Sequence, residues 1–599
     1  MRPESTEHQH TLVMKRSQLR GAAPMAVAAL FIAGCSGLGK MTKHAETIKY
    51  TVEPNPLIVQ GDSVAVSVRG NFPAKYFSKK ATVELTPSID GIGESMLLET
   101  PEGKVPENFV ATSSTALKMV GFQGEGAAGN YTVIPYESGK EFSHSDKVAY
   151  TPAMEHSALM VKILGKQGKK EKPFPTVKVA DGVITTPYLV KSDDKTIMAK
   201  DAFQRITSHT QDLQLNYNVA SDVQVPGDNK EQDVKDLQAF LKDNAKNPNI
   251  VIKGVKIDAY ASPEGEVDMN EGLANKRDKA AMRWMQSELG KNKLAKGDSL
   301  FTGVSHGEDW TGFERELNAS NFADKDLVLR VLSMYPDVNK RESEIKNMAA
   351  TYTELRSDIL PKLRRAEIQL NYDRVGKTDE QLTSMSRTMP DSLNVEELLF
   401  AATLTQDMNE QLRIYKECER VHPADYRAAN NVGYIYMQQN KLAEAEAQFT
   451  KANSITDNPI STNNLGVCAR LKGDRKKAAE LYSKAGAAGP EVRYNQGIID
   501  IQNGNYSSAN SNFSGSNGLN VALAKTLSGD AAGAQRALEA SPDKDTAEGH
   551  YLMAIIGARQ NNGDMVKNNL SLAVQKNAAL GDKAKKDLEF RAFKNDLGI

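Results

Sequence analysis

Cysteine is almost missing from this chain: 599 residues hold three, and Cys418 and Cys468 stand 50 residues apart in helical sequence. A disulfide framework is therefore excluded as the basis of the fold, and both thiols read as structural groups on helix faces. An excess of basic charge is missing as well. Seventy-five Lys and Arg face 76 Asp and Glu, a net charge of -1, whereas nucleic-acid binders carry a basic surplus. Nine histidines are scattered without an H-x-x-x-H pair, and C-x-x-C does not occur. Metal and redox chemistry thus lack their first requirement. The expectation is a non-enzyme with no catalytic residues, no metal, no cofactor and no nucleic-acid partner.

What is present is a long chain of ordinary globular balance, 40% hydrophobic and 25% charged, and its length implies three to five domains. Residues 14 to 35 begin with Lys15, Arg16 and Arg20, continue as an apolar run to Ile32, and end in Ala33, Gly34 and Cys35. This is the order of a secretory signal, too short to remain as a spanning anchor. The Ile-Ala-Gly-Cys ending resembles a bacterial lipobox. That resemblance implies a signal peptide over 1–35 with its start at Met14, lipidation of Cys35, and membrane attachment through the lipid. Ser36 after the Cys is similar to lipoproteins sent to the outer membrane. A Gly, Ser and Lys tether follows over 36–46.

Residues 47–200 show short alternating runs such as Leu57, Ile58, Val59 and Val64, Val66, Val68, punctuated by Gly and Pro. This predicts a β-sandwich-like domain. The lysines between 166 and 172 read as a solvated hairpin tip.

Between 205 and 375 the periodicity switches repeatedly between two and 3.6. Leu213, Leu215, Tyr217 and Val219 alternate as a first strand, and Val234, Leu237, Phe240 and Leu241 fit a helix. Val255, Ile257 and Ala259 share one face of a second strand, broken by Ser262, Pro263, Glu264 and Gly265. Leu273, Arg277, Ala280, Ala281 and Trp284 then line one face of a helix. A third strand near 300–304, a helical excursion over about 323–360, and a last strand through Ala366, Ile368, Leu370 and Tyr372 complete the block.

The strand, loop and helix resemble the OmpA C-terminal-like domain, an envelope module that binds peptidoglycan. Gly265, Asn270, Leu273 and Arg277 fall on the family's Gly, Asn, Leu and Arg, while Ser262 stands where the family has Asp. The resemblance implies a β/α domain with a helical insertion and a peptidoglycan site built from Ser262, Glu264, Gly265, Asn270, Leu273 and Arg277. It further implies weak wall binding that Ser262→Asp strengthens and Arg277→Ala removes. His306, beside Glu308 and Asp309, falls on the family's structural turn.

From 392 to 599 the texture is helical. Gly433, Tyr436, Ala445 and Phe449 recur as Gly466, Ala469, Ala478 and Tyr482 after 33 residues, and Gly497, Ala509 and Phe513 follow after 31 more. A small residue where two helices cross, with an aromatic from the second helix, resembles the tetratricopeptide repeat. Asp500 occupies a packing position of the third unit, which predicts a weak or exposed repeat.

The fold class expected is multidomain α+β: a β-sandwich-like region, an OmpA-like domain and a C-terminal α-solenoid. Similarity to Bacteroidota-type envelope lipoproteins implies an outer-membrane scaffold facing the periplasm. Its partners would be envelope proteins bound by the repeats, and peptidoglycan. The alternative is an accessory subunit of an outer-membrane secretion or assembly machine without peptidoglycan binding.

Overall fold

Alternation in the first third builds two sheets. In a computed structural model, which describes residues 37–92, 103–106, 109–227, 230–294 and 297–599, strand Ser63–Phe72 pairs antiparallel with Lys49–Glu53 and with Lys140–Ala149. The signal segment and Cys35 lie outside the described residues. A second sheet is centred on Thr82–Gly91, paired antiparallel with Ser157–Gln167 and with Val120–Gly124. Period-two side chains from both sheets, Val66, Val68 and Phe72 from one and Val83, Leu85 and Leu159 from the other, share one buried core. Each such side chain contributes about 1.5–3 kcal/mol. Strand Ser157–Gln167 turns at Gly168, φ +61°, into Lys170–Pro173, whose residues are all exposed. The lysine-rich piece is thus a solvated hairpin.

Compact structure divides the chain into two units, one of Met1–Asp194 with Pro490–Ile599 and the other of Lys195–Gly489. In the first, the C-terminal helices from Pro490–Gln502 to Ala579–Lys586 bury Ile498, Phe513, Leu523 and Leu552 in one cluster and Tyr551, Leu570 and Phe590 in another. Asp500 is buried rather than exposed. It accepts a hydrogen bond from Asn512 Nδ2 at 2.8 Å, and burial pushes its carboxyl up from the usual range.

The second unit opens with a four-stranded sheet in the order Ile206–Asn216, Arg365–Val375, Ile250–Ala261, Phe301–Glu308. Only the pair Ile250–Ala261 with Phe301–Glu308 is parallel. The first strand starts earlier than its apolar alternation, because its leading half is exposed on both faces. Val219 lies past its end and is 50% exposed, since the chain turns after Tyr217 to bridge back to Gln224. A register shift between Ile252 and Gly254 changes the buried parity, so Ile250 and Ile252, then Val255, Ile257 and Ala259, all face the core. Helices Gln232–Asp243 and Val267–Asn292 cover that face. Helices Trp310–Ala319, Lys325–Met334, Val338–Asn347 and Ala349–Asp358 form the insertion and have a core of their own around Phe313, Val328 and Leu355. The insertion therefore begins at Trp310, ahead of 323.

Helical hairpins follow from Asp379–Thr388, where Leu382 joins a core with Leu398, Ile414 and Val432. Side-chain caps start most helices of this run: Asn394 and Asn458 accept from Glu397 N and Ser461 N, and Asp407, Asp425 and Asp474 do the same for theirs, while Leu442–Ile455 has none.

Candidate functional site

The candidate groups lie in two places: the loop after strand Ile250–Ala261, and the faces of the helical hairpins.

At the loop, Arg277 is completely buried on helix Val267–Asn292. Its Nε donates to Ser221 O at 3.1 Å, Nη1 to Tyr260 O at 2.8 Å and Nη2 to Asn218 O at 3.1 Å, and its guanidinium lies 5.4 Å from the Tyr217 ring centre. Burial pushes its pKa down to about 10. The guanidinium therefore ties two carbonyls of the loop after the first strand to one near the end of strand Ile250–Ala261.

The neighbouring polar groups are engaged too. Ser262 Oγ donates to Glu264 Oε1 at 2.8 Å, and Glu264 is held by Arg364 at 2.8 and 3.2 Å. Asn270 Nδ2 donates to Glu308 Oε1 at 2.7 Å, and Trp310 Nε1 donates to Glu308 Oε2 at 2.9 Å. Burial raises the Glu308 carboxyl. Leu273 is half-buried, while Ala274 and Met285 take the deepest positions of the helix. A Cβ at Gly265 would meet Asn270 at 3.5 Å, an ordinary contact, so space does not demand glycine there. A carboxylate at 262 would sit against that of Glu264, a like-charge contact that opposes the gain expected of Ser262→Asp. His306 Nε2 lies 2.7 Å from Asp258 and its ring stacks on Tyr260. Among the described residues no three His, Cys, Asp or Glu side chains are grouped to hold a metal ion.

The hairpins are built on glycine–aromatic crossings 16 residues apart. A Cβ on Gly433 would come within 2.7 Å of the Phe449 ring, on Gly466 within 2.5 Å of Tyr482, and on Gly497 within 2.7 Å of Phe513. Ala445, Ala478 and Ala509 are fully buried beside them, whereas Tyr436 is half-buried and has Lys416 and Lys441 over its ring. Cys418 and Cys468 are free and buried, and burial pushes each thiol up to about 12.

One feature escaped the apolar pattern. The first helices of two successive hairpins, Tyr426–Gln438 and Pro459–Leu471, carry the pairs Asn430, Asn431 and Asn463, Asn464, all buried. They hold residues 195–199, a stretch with no helix or strand of its own. Asn431 Oδ1 accepts from Ala199 N at 2.8 Å while its Nδ2 donates to Ala199 O at 2.9 Å. Asn464 does the same to Ile197, at 2.8 and 2.8 Å. Asn463 Nδ2 donates to Lys195 O at 3.0 Å, and Asn430 Nδ2 to Ile197 O at 3.1 Å. Alternate residues that turn both N–H and C=O to one side are the mark of extended chain. In the other unit Asn520 clamps Lys191 in the same way, at 2.8 and 2.9 Å, and Tyr494 donates to Asp193 at 2.7 Å. The signal in the sequence was the 33-residue recurrence of Asn-Asn.

No protein-family model matches the chain. A curated relative, the BBSome complex member BBS4 of Bos taurus, is 28% identical over 101 residues, covering 16% of this chain. The match spans about a fifth of that protein's length, 20%. Similar solved structures include a tetratricopeptide repeat protein from Parabacteroides merdae, 15% identical with a TM-score of 0.27, covering 35% of this chain and 91% of that one. Pseudomonas aeruginosa PilF is 13% identical with a TM-score of 0.28, covering 36% and 99%. The APC/C hetero-tetramer Cut9-Hcn1 is 14% identical with a TM-score of 0.31, covering 46% and 58%. The C-terminal helices are tetratricopeptide-like repeats on the geometry of their own crossings.

Proposed function

We propose that this protein is a lipid-anchored scaffold of the outer membrane, facing the periplasm, that binds protein partners through its helical repeats and performs no catalysis. The observation that carries the reading is the repeated glycine–aromatic crossing at Gly433, Gly466 and Gly497. Stacked hairpins of this kind supply long interaction surfaces and no reaction chemistry. The anchor rests on the Ala33, Gly34, Cys35 ending of the signal. No helix among the described residues is long and apolar enough to cross a membrane, so retention there falls to the lipid.

The β/α domain, OmpA-like in its strand-loop-helix unit, enters this reading as a protein-contact module rather than a wall-binding one. The three carbonyls that take up the Arg277 donors favour this version, which is that of an assembly-machine subunit. Fractionation and affinity capture of the intact chain from detergent-solubilised native membranes test the whole. Cys35→Ser is expected to move the protein to the soluble fraction, because two or three acyl chains give the stable attachment that the variant loses. Capture of the same partner is expected to fall in Gly433→Leu. A Cys35→Ser protein that stays membrane-bound after high salt overturns the lipid as the anchor and leaves a membrane partner holding the chain, and undiminished capture by Gly433→Leu overturns the repeats as the docking surface.

A further inference from the structure

The four asparagines of the two hairpins have no function in holding helix to helix that apolar residues would not serve better, since burying an amide side chain costs free energy unless every group is paired. Their partners include main-chain groups of 195–199, one another and Ser461: Ser461 Oγ and Asn464 Nδ2 both donate to Asn430 Oδ1 at 3.0 Å. Such a surface is built for an extended polypeptide. It reads the backbone, and so it accepts any sequence whose side chains fit.

The fit is set at three points. Ala199 is 3% exposed, leaving no room for a larger residue. Met198 packs into the core beneath, where the Tyr415 hydroxyl reaches its sulfur at 3.3 Å. Phe203 stacks on Phe400 with ring centres 4.4 Å apart, after Ala202 N has donated to Glu396 at 2.6 Å. Lys200, Ala202 and Gln204 are exposed.

We propose that this face is a peptide-binding site kept shut by the chain's own residues 195–203, and that its ligand class is an extended peptide with an apolar residue, an alanine, and an aromatic four positions after the alanine. The inference rests on reading the repeats as a protein-binding region. In the intact chain the tethered segment competes at the high effective concentration of an intramolecular ligand, so a second peptide does not enter. Emptied, the face takes one in trans.

The test is a fluorescence-anisotropy titration of a labelled synthetic peptide of residues 194–204 into the full chain and into the full-length double variant Ile197→Pro, Ala199→Pro. The prolines remove both N–H groups that the asparagines accept from. Expected are no saturable binding to the unaltered chain, saturable binding to the variant, and a loss of about tenfold or more on adding Asn464→Ala. A folded double variant that does not bind, or equal binding to both chains, overturns the proposal. If the prolines unfold the hairpins, as circular dichroism would reveal, Ala199→Glu displaces the segment by bulk and charge and takes the same titration. Partner capture by the intact chain does not depend on this outcome, because there the face is shut, so the two readings fail separately.

Discussion

Asn464 and Ile197 close a two-bond ring: one side-chain amide accepts from the peptide N–H and donates to the carbonyl of the same residue, both at 2.8 Å. Asn464→Ala leaves both main-chain groups without that partner, at about 1–3 kcal/mol for each that water does not reach. The Ile197 amide is expected to exchange its hydrogen faster by a corresponding factor, while the amides of strand Ile250–Ala261 stay protected. Unchanged exchange at Ile197 would mean that the segment is held by other contacts.

Gly433→Leu is expected to cost about 1–3 kcal/mol by overpacking the crossing against Phe449, and Gly466→Leu to do the same against Tyr482. Because stacked repeats share interfaces, the loss should extend to the adjoining hairpin. Thermal melts followed by circular dichroism, with limited proteolysis to locate the opened helices, measure it. Melts that match the unaltered chain would refute the crossing as a close contact.

Much of this was legible in sequence, and the reason differs from place to place. Val255, Ile257 and Ala259 alternate, and the glycine–aromatic spacing repeats, because both patterns are imposed by burial of apolar surface. Residues 195–203 follow no hydrophobic period, and so they fell at a domain boundary. What fixes them is hydrogen bonding to asparagines more than 230 residues later in the chain, Asn431 to Ala199 being 232 apart. The role of Arg277 was hidden for a related reason. Its spacing from Gly265 and Asn270 fits a ligand-binding motif, but whether a buried guanidinium meets a ligand or three carbonyls depends on where residues 218, 221 and 260 come to lie.

Arg277→Lys is expected to destabilise the unit Lys195–Gly489 by several kcal/mol, since a single ammonium cannot span carbonyls that a planar fork reaches. The change should appear as a lower urea midpoint. Co-sedimentation with purified sacculi is expected to leave the unaltered chain in the supernatant, and pelleting that Arg277→Lys abolishes without loss of fold would reinstate a wall ligand.

Ser262→Asp is expected to destabilise rather than to add a grip. The new carboxylate meets Glu264, already committed to Arg364, and like charges at this range oppose ionisation of both. Partial recovery at acid pH, where one of them takes a proton, is the signature to look for in the melting temperature. A Ser262→Asp chain as stable as the parent at neutral pH would show that the loop has room to separate them.

Glu410 supplies a pH dependence of known sign. The Arg413 guanidinium beside it at 2.9 Å, and then Arg387 at 2.8 Å, hold its carboxyl down to about 2. A folded value below the ordinary one means stabilisation that is full above about pH 5 and disappears as pH falls toward 2. Glu410→Gln should therefore cost about 1 kcal/mol at neutral pH and almost nothing near pH 2, the modest size being that of a pair open to solvent. Equal losses at both pH values would remove the ion pairs as the cause.

The clamps on Ile197 and Ala199 make the linker a vernier. Two residues of extended chain advance along the surface for every 33 residues of repeat, from Asn464 to Asn431. Losing Met198, the one residue between the clamps, would bring Ile197 or Ala199 to the Met198 pocket and Thr196 or Lys200 to the asparagine its neighbour had held. The length of this stretch can change only in even steps, or not at all, so a segment that looks in sequence like free spacer is held to the repeat period as tightly as any strand is to its sheet.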